Sequence, residues 1–228
     1  MKADSDLRYE IKLVCEGHRL PQARSWVRLH PAGLTVAYPP RRVNNVYLDT
    51  PHLNSFEANL AGLCTRQKLR LRWYGSSVLN IQPQLELKEK ENLLGRKKRH
   101  KPPCRLNLTQ SWADILRTLR ASVEPEWQMM LQTVSRPVLF NHYRREYYVT
   151  FDGAVRVTLD FSQAAYDQRF SLRPNLHLGL PIADSVVIEI KAARDQAQRL
   201  QEIAAAFPLP RSRNSKYAGS VLAALTCQ

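Results

Sequence analysis

Apolar and polar residues alternate along most of the chain, and a period of two marks strands with one buried face. Arg8–Glu16 shows it first, with Tyr9, Ile11 and Leu13 on one side and Arg8, Glu10 and Lys12 on the other. The same rhythm predicts strands at Asn44–Asp49, Thr65–Tyr74, Ile81–Lys90, Leu94–Lys101, Leu139–Phe151, Val155–Phe161, Ala164–Phe170 and Val186–Lys191, with Gly153 as a hairpin turn. Elsewhere the spacing lengthens to that of a helix. It predicts helices over Leu20–Leu29, from a cap at Thr50 with Pro51 in first position through Leu60, and from Thr109 or Ser111 through Leu119. Three more are predicted over Glu124–Val134, Arg194–Phe207 and Tyr217–Leu225. Trp112, Trp127, Met129 and Met130 fall at helical spacing and read as core. No repeat or biased linker divides the chain, so a single domain over 1–228 is expected.

The polar sides of the strands are strongly basic. In the segment Arg66-Gln67-Lys68-Leu69-Arg70-Leu71-Arg72-Trp73, alternation puts Arg66, Lys68, Arg70 and Arg72 in one row and Leu69, Leu71 and Trp73 in the other. Neighbours in such a row stand ~6.5–7 Å apart, which suits an extended polyanion. Glu10/Lys12, Glu86/Lys88/Lys90, Lys97/Arg99, Arg156/Thr158/Asp160 and Glu189/Lys191 repeat the pattern. One such row is readily a solvated face; recurrence on nearly every strand argues for more. If the strands close with charges outward, the Leu, Ile and Trp rows fill the interior and the helices have nothing apolar to cover. Charges inward leave an apolar outer wall for them. The expected fold is therefore α+β: an antiparallel β-barrel tunnel with a basic lumen, surrounded by amphipathic helices. Cations crowded in a lumen repel one another, a strain that an anionic ligand offsets.

Composition agrees. There are 34 Lys+Arg against 20 Asp+Glu in 228 residues, a formal charge of +14, which points to a polyanionic partner. An apolar content of 44% excludes a disordered chain. Stacking of unpaired bases needs exposed aromatics, and 8% aromatic content offers no such platform, so nucleic acid is not expected. No apolar run reaches the ~18 residues of a membrane span, and Met1–Asp6 is polar, without a signal-peptide core. A cytoplasmic protein is the expectation. Cys15, Cys64, Cys104 and Cys227 are scattered, with no metal-binding spacing. The six histidines show no catalytic arrangement, and Asp49 reads as a group that shapes a strand end.

Nine segments, in order, resemble the catalytic domain of the vacuolar transporter chaperone (VTC) polyphosphate polymerases, within the triphosphate tunnel metalloenzyme (CYTH-like) superfamily. They are Arg8-Tyr9-Glu10-Ile11-Lys12, Val46–Thr50, Lys68–Gly75, Glu86-Leu87-Lys88, Arg96–Arg99, Tyr143-Arg144-Arg145, Val155–Asp160, Val187–Lys191 and Arg213–Tyr217. The resemblance implies an eight-stranded tunnel. It also implies an enzyme that uses ATP to lengthen a polyphosphate chain from phosphate or pyrophosphate, with Mn2+ or Mg2+ and, in membrane-bound complexes, further protein partners. Carried over, Lys12, Arg70, Arg72 and Lys88 would be catalytic, Lys97, Arg145, Arg156, Arg213, Ser215 and Lys216 would bind substrate, and Glu189 would hold the metal. Sibling triphosphatases and class IV-type adenylyl cyclases open with E-x-E-x-K; here the first of those positions is Arg8. Only Glu10, Glu86, Asp160 and Glu189 stand out as lumen acids. That scarcity favours transfer to phosphate over hydrolysis. A tunnel triphosphatase and a non-catalytic polyphosphate-binding module are the alternatives, and Glu10, Glu86 and Asp160 read equally well as neutralisers of adjacent Lys and Arg.

Overall fold

A computed structural model describes residues 8–91, 94–212 and 214–226. The alternating segments form eight strands: β1 (Arg8–Glu16), β2 (Thr35–Asp49), β3 (Thr65–Tyr74), β4 (Gln84–Glu91), β5 (Leu94–His100), β6 (Arg136–Val149), β7 (Val155–Asp167) and β8 (Ser185–Ala193). The helices are α1 (Leu20–Arg28), α2 (Asn54–Leu60), α3 (Trp112–Ala121), α4 (Pro125–Thr133), α5 (Ala197–Ala205) and α6 (Lys216–Thr226). The strands make one sheet in the order β1-β8-β7-β6-β2-β3-β4-β5. Its registered ladders are antiparallel. The order has two ends, at β1 and β5; the fold is an α+β eight-stranded sheet, and its ladders do not close it into the barrel expected from the sequence.

Where the elements differ from expectation, a local cause is visible. β2 starts at Thr35 because pairing continues through Pro39-Pro40, which interrupts the alternation in the sequence. The expected strands on either side of Ser162 are one strand, β7, carried through a residue at φ 50. Ile81 makes only an isolated bridge to Leu106, and β4 begins after Pro83. Pro51 does not start α2, which begins at Asn54, although the Thr50 hydroxyl oxygen accepts the Asn54 N–H at 3.1 Å. Leu53, in the left-handed region at φ 57, precedes it, and the Asp49 carboxylate accepts the free N–H groups of Ser55 and Phe56 at 2.9 Å each.

The chain folds as two compact units. One contains residues 1–42, 143–163 and 183–215. Here Ile11 and Leu13 of β1, Val157 and Leu159 of β7, and Ile188 and Ile190 of β8 are buried against Val27 of α1 and Leu200 and Ile203 of α5. The second contains residues 43–142, 164–182 and 216–228. Its Leu69, Leu71 and Trp73 of β3 and Leu85 and Leu87 of β4 pack under Ile115 and Leu119 of α3 and Trp127 and Leu131 of α4. Each such side chain contributes about 1.5–3 kcal/mol when fully buried. In both units the helices just named lie on the apolar side of the strands, so the cationic rows are on the other side. Met129 departs from the expected core: it is 70% exposed on α4.

Helices α2 and α6 break the rule. Tyr47 shares a face with Arg70, its ladder partner, and α6 lays Tyr217 flat on Tyr47 at 4.7 Å. Phe56 of α2 and Val221 of α6 complete that cluster. These two helices therefore pack on the charged side of the second unit, where the alternation of the strands predicts no helix.

Candidate functional site

Register builds the first constellation, in the second unit. Cross-strand partners put their side chains on the same face. The ladders align Tyr47 with Arg70, Arg70 with Glu86, and Glu86 with Arg99. One row along, Lys68 opposes Lys88 and Lys88 opposes Lys97, so three lysines lie abreast on strands ~4.8 Å apart. Like charges directly opposite one another destabilise a sheet. Glu86, almost wholly buried, relieves part of this. Its Oε2 accepts from Arg70 Nε and Nη2 at 2.8 and 2.5 Å, and its Oε1 accepts from Lys97 Nζ at 2.6 Å. Arg72 Nη1 and Arg99 Nε stand 3.5 and 3.8 Å from the same carboxylate.

The titration follows. Burial raises the Glu86 carboxyl, but Arg70, Arg72 and Lys97 outweigh it and hold the group well below the usual range. Lys97 is lowered to about 6, by burial first and then by Arg70, with Glu86 only partly compensating. This face therefore holds more positive charge than it can keep protonated in water. Arg72 is held in place: its Nε donates to Asn45 Oδ1 at 2.8 Å, and Asn45 in turn donates to Asn141 at 2.8 Å. Tyr47 OH accepts from Arg70 at 3.2 Å. Lys68 lies over the ring of Tyr217, whose hydroxyl donates to Asp49 at 2.5 Å.

The second constellation, in the first unit, is closer to charge balance. Register aligns Lys12, Glu189 and Thr158 in one row across β1, β8 and β7, and Glu10, Lys191 and Arg156 in the next. Lys12 Nζ lies 3.2 Å from Glu10 and 3.6 Å from Glu189, and donates to the backbone carbonyl of Asn214 at 2.9 Å. Lys191 Nζ lies 2.7 Å from Glu189 and 3.7 Å from Glu10. Arg145 grips Asp160 through two hydrogen bonds of 2.5 and 2.6 Å and reaches Glu189 at 3.1 Å. Burial lowers the guanidinium pKa, but Asp160, Tyr143 and Glu189 together raise it well above its ordinary value.

The expected residues thus separate into groups. Arg70, Arg72, Lys88 and Lys97 share one face of the second unit, and Lys12, Arg145, Arg156 and Glu189 share one face of the first. Lys88 and Arg156 are exposed, whereas Arg72 and Arg145 are buried. Ser215 and Lys216, at the start of α6, are half-buried, and Arg213 lies outside the described residues. Glu86 and Asp160 act as the neutralising acids that the sequence allowed for. Asn45, Asn141 and Tyr47 were not anticipated. Being uncharged, they announce themselves only through the ladder that seats them beside Arg72 and Arg70.

Among the described residues, no three His, Cys, Asp or Glu side chains converge to cage a metal ion. Glu189 and Glu10 are nevertheless bridged twice by ammonium groups, so a cation already belongs between these carboxylates. Hard oxygen donors of this kind, one or two in number, suit Mg2+ or Mn2+, which complete their shells with water and substrate phosphates rather than an all-protein cage. The residues fit such an ion.

The family model described as VTC domain matches residues 7–225. The chain belongs to the VTC domain family. No curated protein matches the sequence. Among solved structures, a protein of Pyrococcus horikoshii OT3 is similar at 15% identity and TM-score 0.48, covering 96% of this chain and 98% of that one. A protein of Vibrio parahaemolyticus described as a candidate adenylate cyclase is similar at 14% identity and TM-score 0.49, covering 96% and 98%. The Mediator head module of Schizosaccharomyces pombe gives 11% identity and TM-score 0.45, covering 90% and 97%. Likenesses this distant carry no argument about the chemistry of this VTC domain.

Proposed function

We propose that this VTC domain is a polyphosphate polymerase, an ATP–polyphosphate phosphotransferase formed by residues 1–228 as one functional domain. It moves the γ-phosphoryl group of ATP onto the end of a growing phosphate chain held in a basic tunnel, and releases ADP. The observation that carries this reading is the row Lys68, Lys88 and Lys97 beside the Arg70–Glu86–Arg72 cluster. Six basic side chains, Lys68, Lys88, Lys97, Arg70, Arg72 and Arg99, about the single carboxylate of Glu86 make an arrangement that a linear polyanion satisfies and water does not. Arg70 and Arg72 present planar donors to phosphate oxygens, and Lys88 and Lys97 add point charges. Lys12 holds the transferred phosphoryl group, Arg145 and Arg156 receive other phosphate oxygens, and Arg213, Ser215 and Lys216 line the path of the chain.

Phosphoryl transfer depends mostly on positioning and on neutralising charge, and needs no strong protein nucleophile. A divalent ion, Mg2+ or Mn2+, held by Glu189 with Glu10 beside it, supplies charge neutralisation across phosphate oxygens. The near balance of acids and bases in that constellation leaves no surplus carboxylate to activate a water, which supports transfer over hydrolysis. No helix among the described residues is long and apolar enough to cross a membrane. A cytoplasmic site of action, possession of a protein partner and indifference to nucleic acid belong to the same reading.

The test is incubation with ATP and Mn2+ or Mg2+. ADP release together with an acid-labile polymer supports the polymerase. Orthophosphate without polymer identifies a triphosphatase, and binding of polyphosphate without turnover identifies a binding module; either result overturns the proposal.

A further inference from the structure

Within the row Lys12–Glu189–Thr158, the third member is anomalous. Thr158 is 9% exposed, and its hydroxyl oxygen is buried without a hydrogen-bond partner. Its neighbours on β7 show the contrast. Asp160, two residues on and on the same face, is fully engaged by Arg145, and Val157 and Leu159 face the apolar core. Burying an unsatisfied hydroxyl carries a desolvation cost that a valine of the same shape avoids. A threonine retained where valine fits better has a partner in some other state of the protein.

The surroundings define that partner. Across the ladder from Thr158 is Glu189, whose oxygens are held by Lys12, Lys191 and Arg145. When an anionic group draws these cations away from the carboxylate, the oxygens that arrive lie beside the Thr158 hydroxyl, which has a proton to donate. A second orphan points the same way. The side-chain oxygen of Asn214 is also buried without a partner, in the residue whose backbone carbonyl receives Lys12. Among the described residues, one orphaned oxygen thus lies in the same row as Lys12 and the other belongs to the residue whose carbonyl Lys12 reaches.

We infer that Thr158 is a further substrate-binding residue, its hydroxyl donating a hydrogen bond to a phosphate oxygen of the triphosphate held by Lys12 and Arg145. The inference rests on the phosphate-binding reading of the site. It makes one substitution act in opposite senses on the free and the bound protein. Thr158→Val removes an unsatisfied group from the free protein and the donor from the complex.

The experiment is titration of tripolyphosphate into the full chain, with and without Mg2+, alongside thermal melts of the ligand-free protein. Thr158→Val is expected to raise Tm while weakening binding by about tenfold or more, the range for a hydrogen bond to a charged group. Thr158→Ser keeps the donor and is expected to bind within about threefold of the parent, well short of that loss. Unchanged affinity in Thr158→Val, with the parent binding normally, overturns the assignment of Thr158 alone. A fall in both Tm and affinity also overturns it, because the residue is then structural. Absence of binding by the parent itself removes the underlying phosphate-site reading along with it. A loss confined to the Mg2+ arm overturns direct donation to phosphate.

Discussion

The depressed titration of Lys97 gives a proton count that calorimetry can read. With a pKa of about 6, the amine is mostly uncharged at pH 8 in the free protein. A bound polyphosphate brings negative charge beside it and offsets the repulsion from Arg70, returning the group toward its ordinary value of ~10.4. Binding at pH 8 is therefore accompanied by uptake of up to about one proton per site. Long-chain polyphosphate is the ligand of choice, because its interior groups are fully ionised at this pH. The apparent binding enthalpy, measured in several buffers and plotted against their ionisation enthalpies, has the proton number as its slope. In Lys97→Met the slope should fall nearly to zero while some affinity persists through Arg70 and Arg72. A flat plot for the parent, net release of protons, or an equal slope in Lys97→Met refutes the argument. The sign also appears in stability. Because the folded pKa lies below the unfolded one, the unfolded chain binds the extra proton between about pH 6 and ~10.4. Across that window the Lys97 contribution to stability of the free protein rises with pH.

Other consequences follow from particular contacts. Glu189→Gln keeps the shape but removes the charge that would hold a divalent ion; metal-dependent turnover should drop on the order of a hundredfold, while polyphosphate binding without metal is retained. Arg145→Met removes the guanidinium that forms an ion pair with the fully buried Asp160, and urea unfolding should show a loss of about 3–5 kcal/mol. Asp49→Ala removes the acceptor for the N–H groups of Ser55 and Phe56 and for the Tyr217 hydroxyl; a loss of about 2–4 kcal/mol is expected, with α6 less protected in hydrogen exchange.

What could be read in advance and what could not divide along a physical line. The face of each residue within a strand was legible, because alternation is a property of consecutive positions: Lys12, Arg70, Glu86, Lys97 and Glu189 all lie on the face it assigns. Partnerships across strands were not, since they depend on register. Nothing in the sequence ties Arg72 to Asn45 and thence Asn141, or makes Arg145 the partner of Asp160. The pair Arg144-Arg145 looked like a single basic motif, yet only Arg145 joins the charged constellation. Glu146 turns the other way and accepts Arg24 of α1 at 2.6 Å and the Tyr148 hydroxyl at 2.8 Å. The placement of α6 was illegible for a different reason: an apolar stripe shows that a helix packs, but not on which of two surfaces. Pairing at Tyr47 and Tyr217 decides it.

The two-sidedness of β3 also restricts how such a chain can change over generations. A single inserted residue at its middle rotates everything beyond it by half a period, carrying guanidinium groups under α3 and α4 and leucines among the lysines. Two inserted residues restore the parity and merely lengthen the strand. Length variation among descendants of this sequence should therefore come in pairs within strands and freely in connections such as residues 101–111 and 168–184, so that a tally of odd and even gaps would itself map the charged surface.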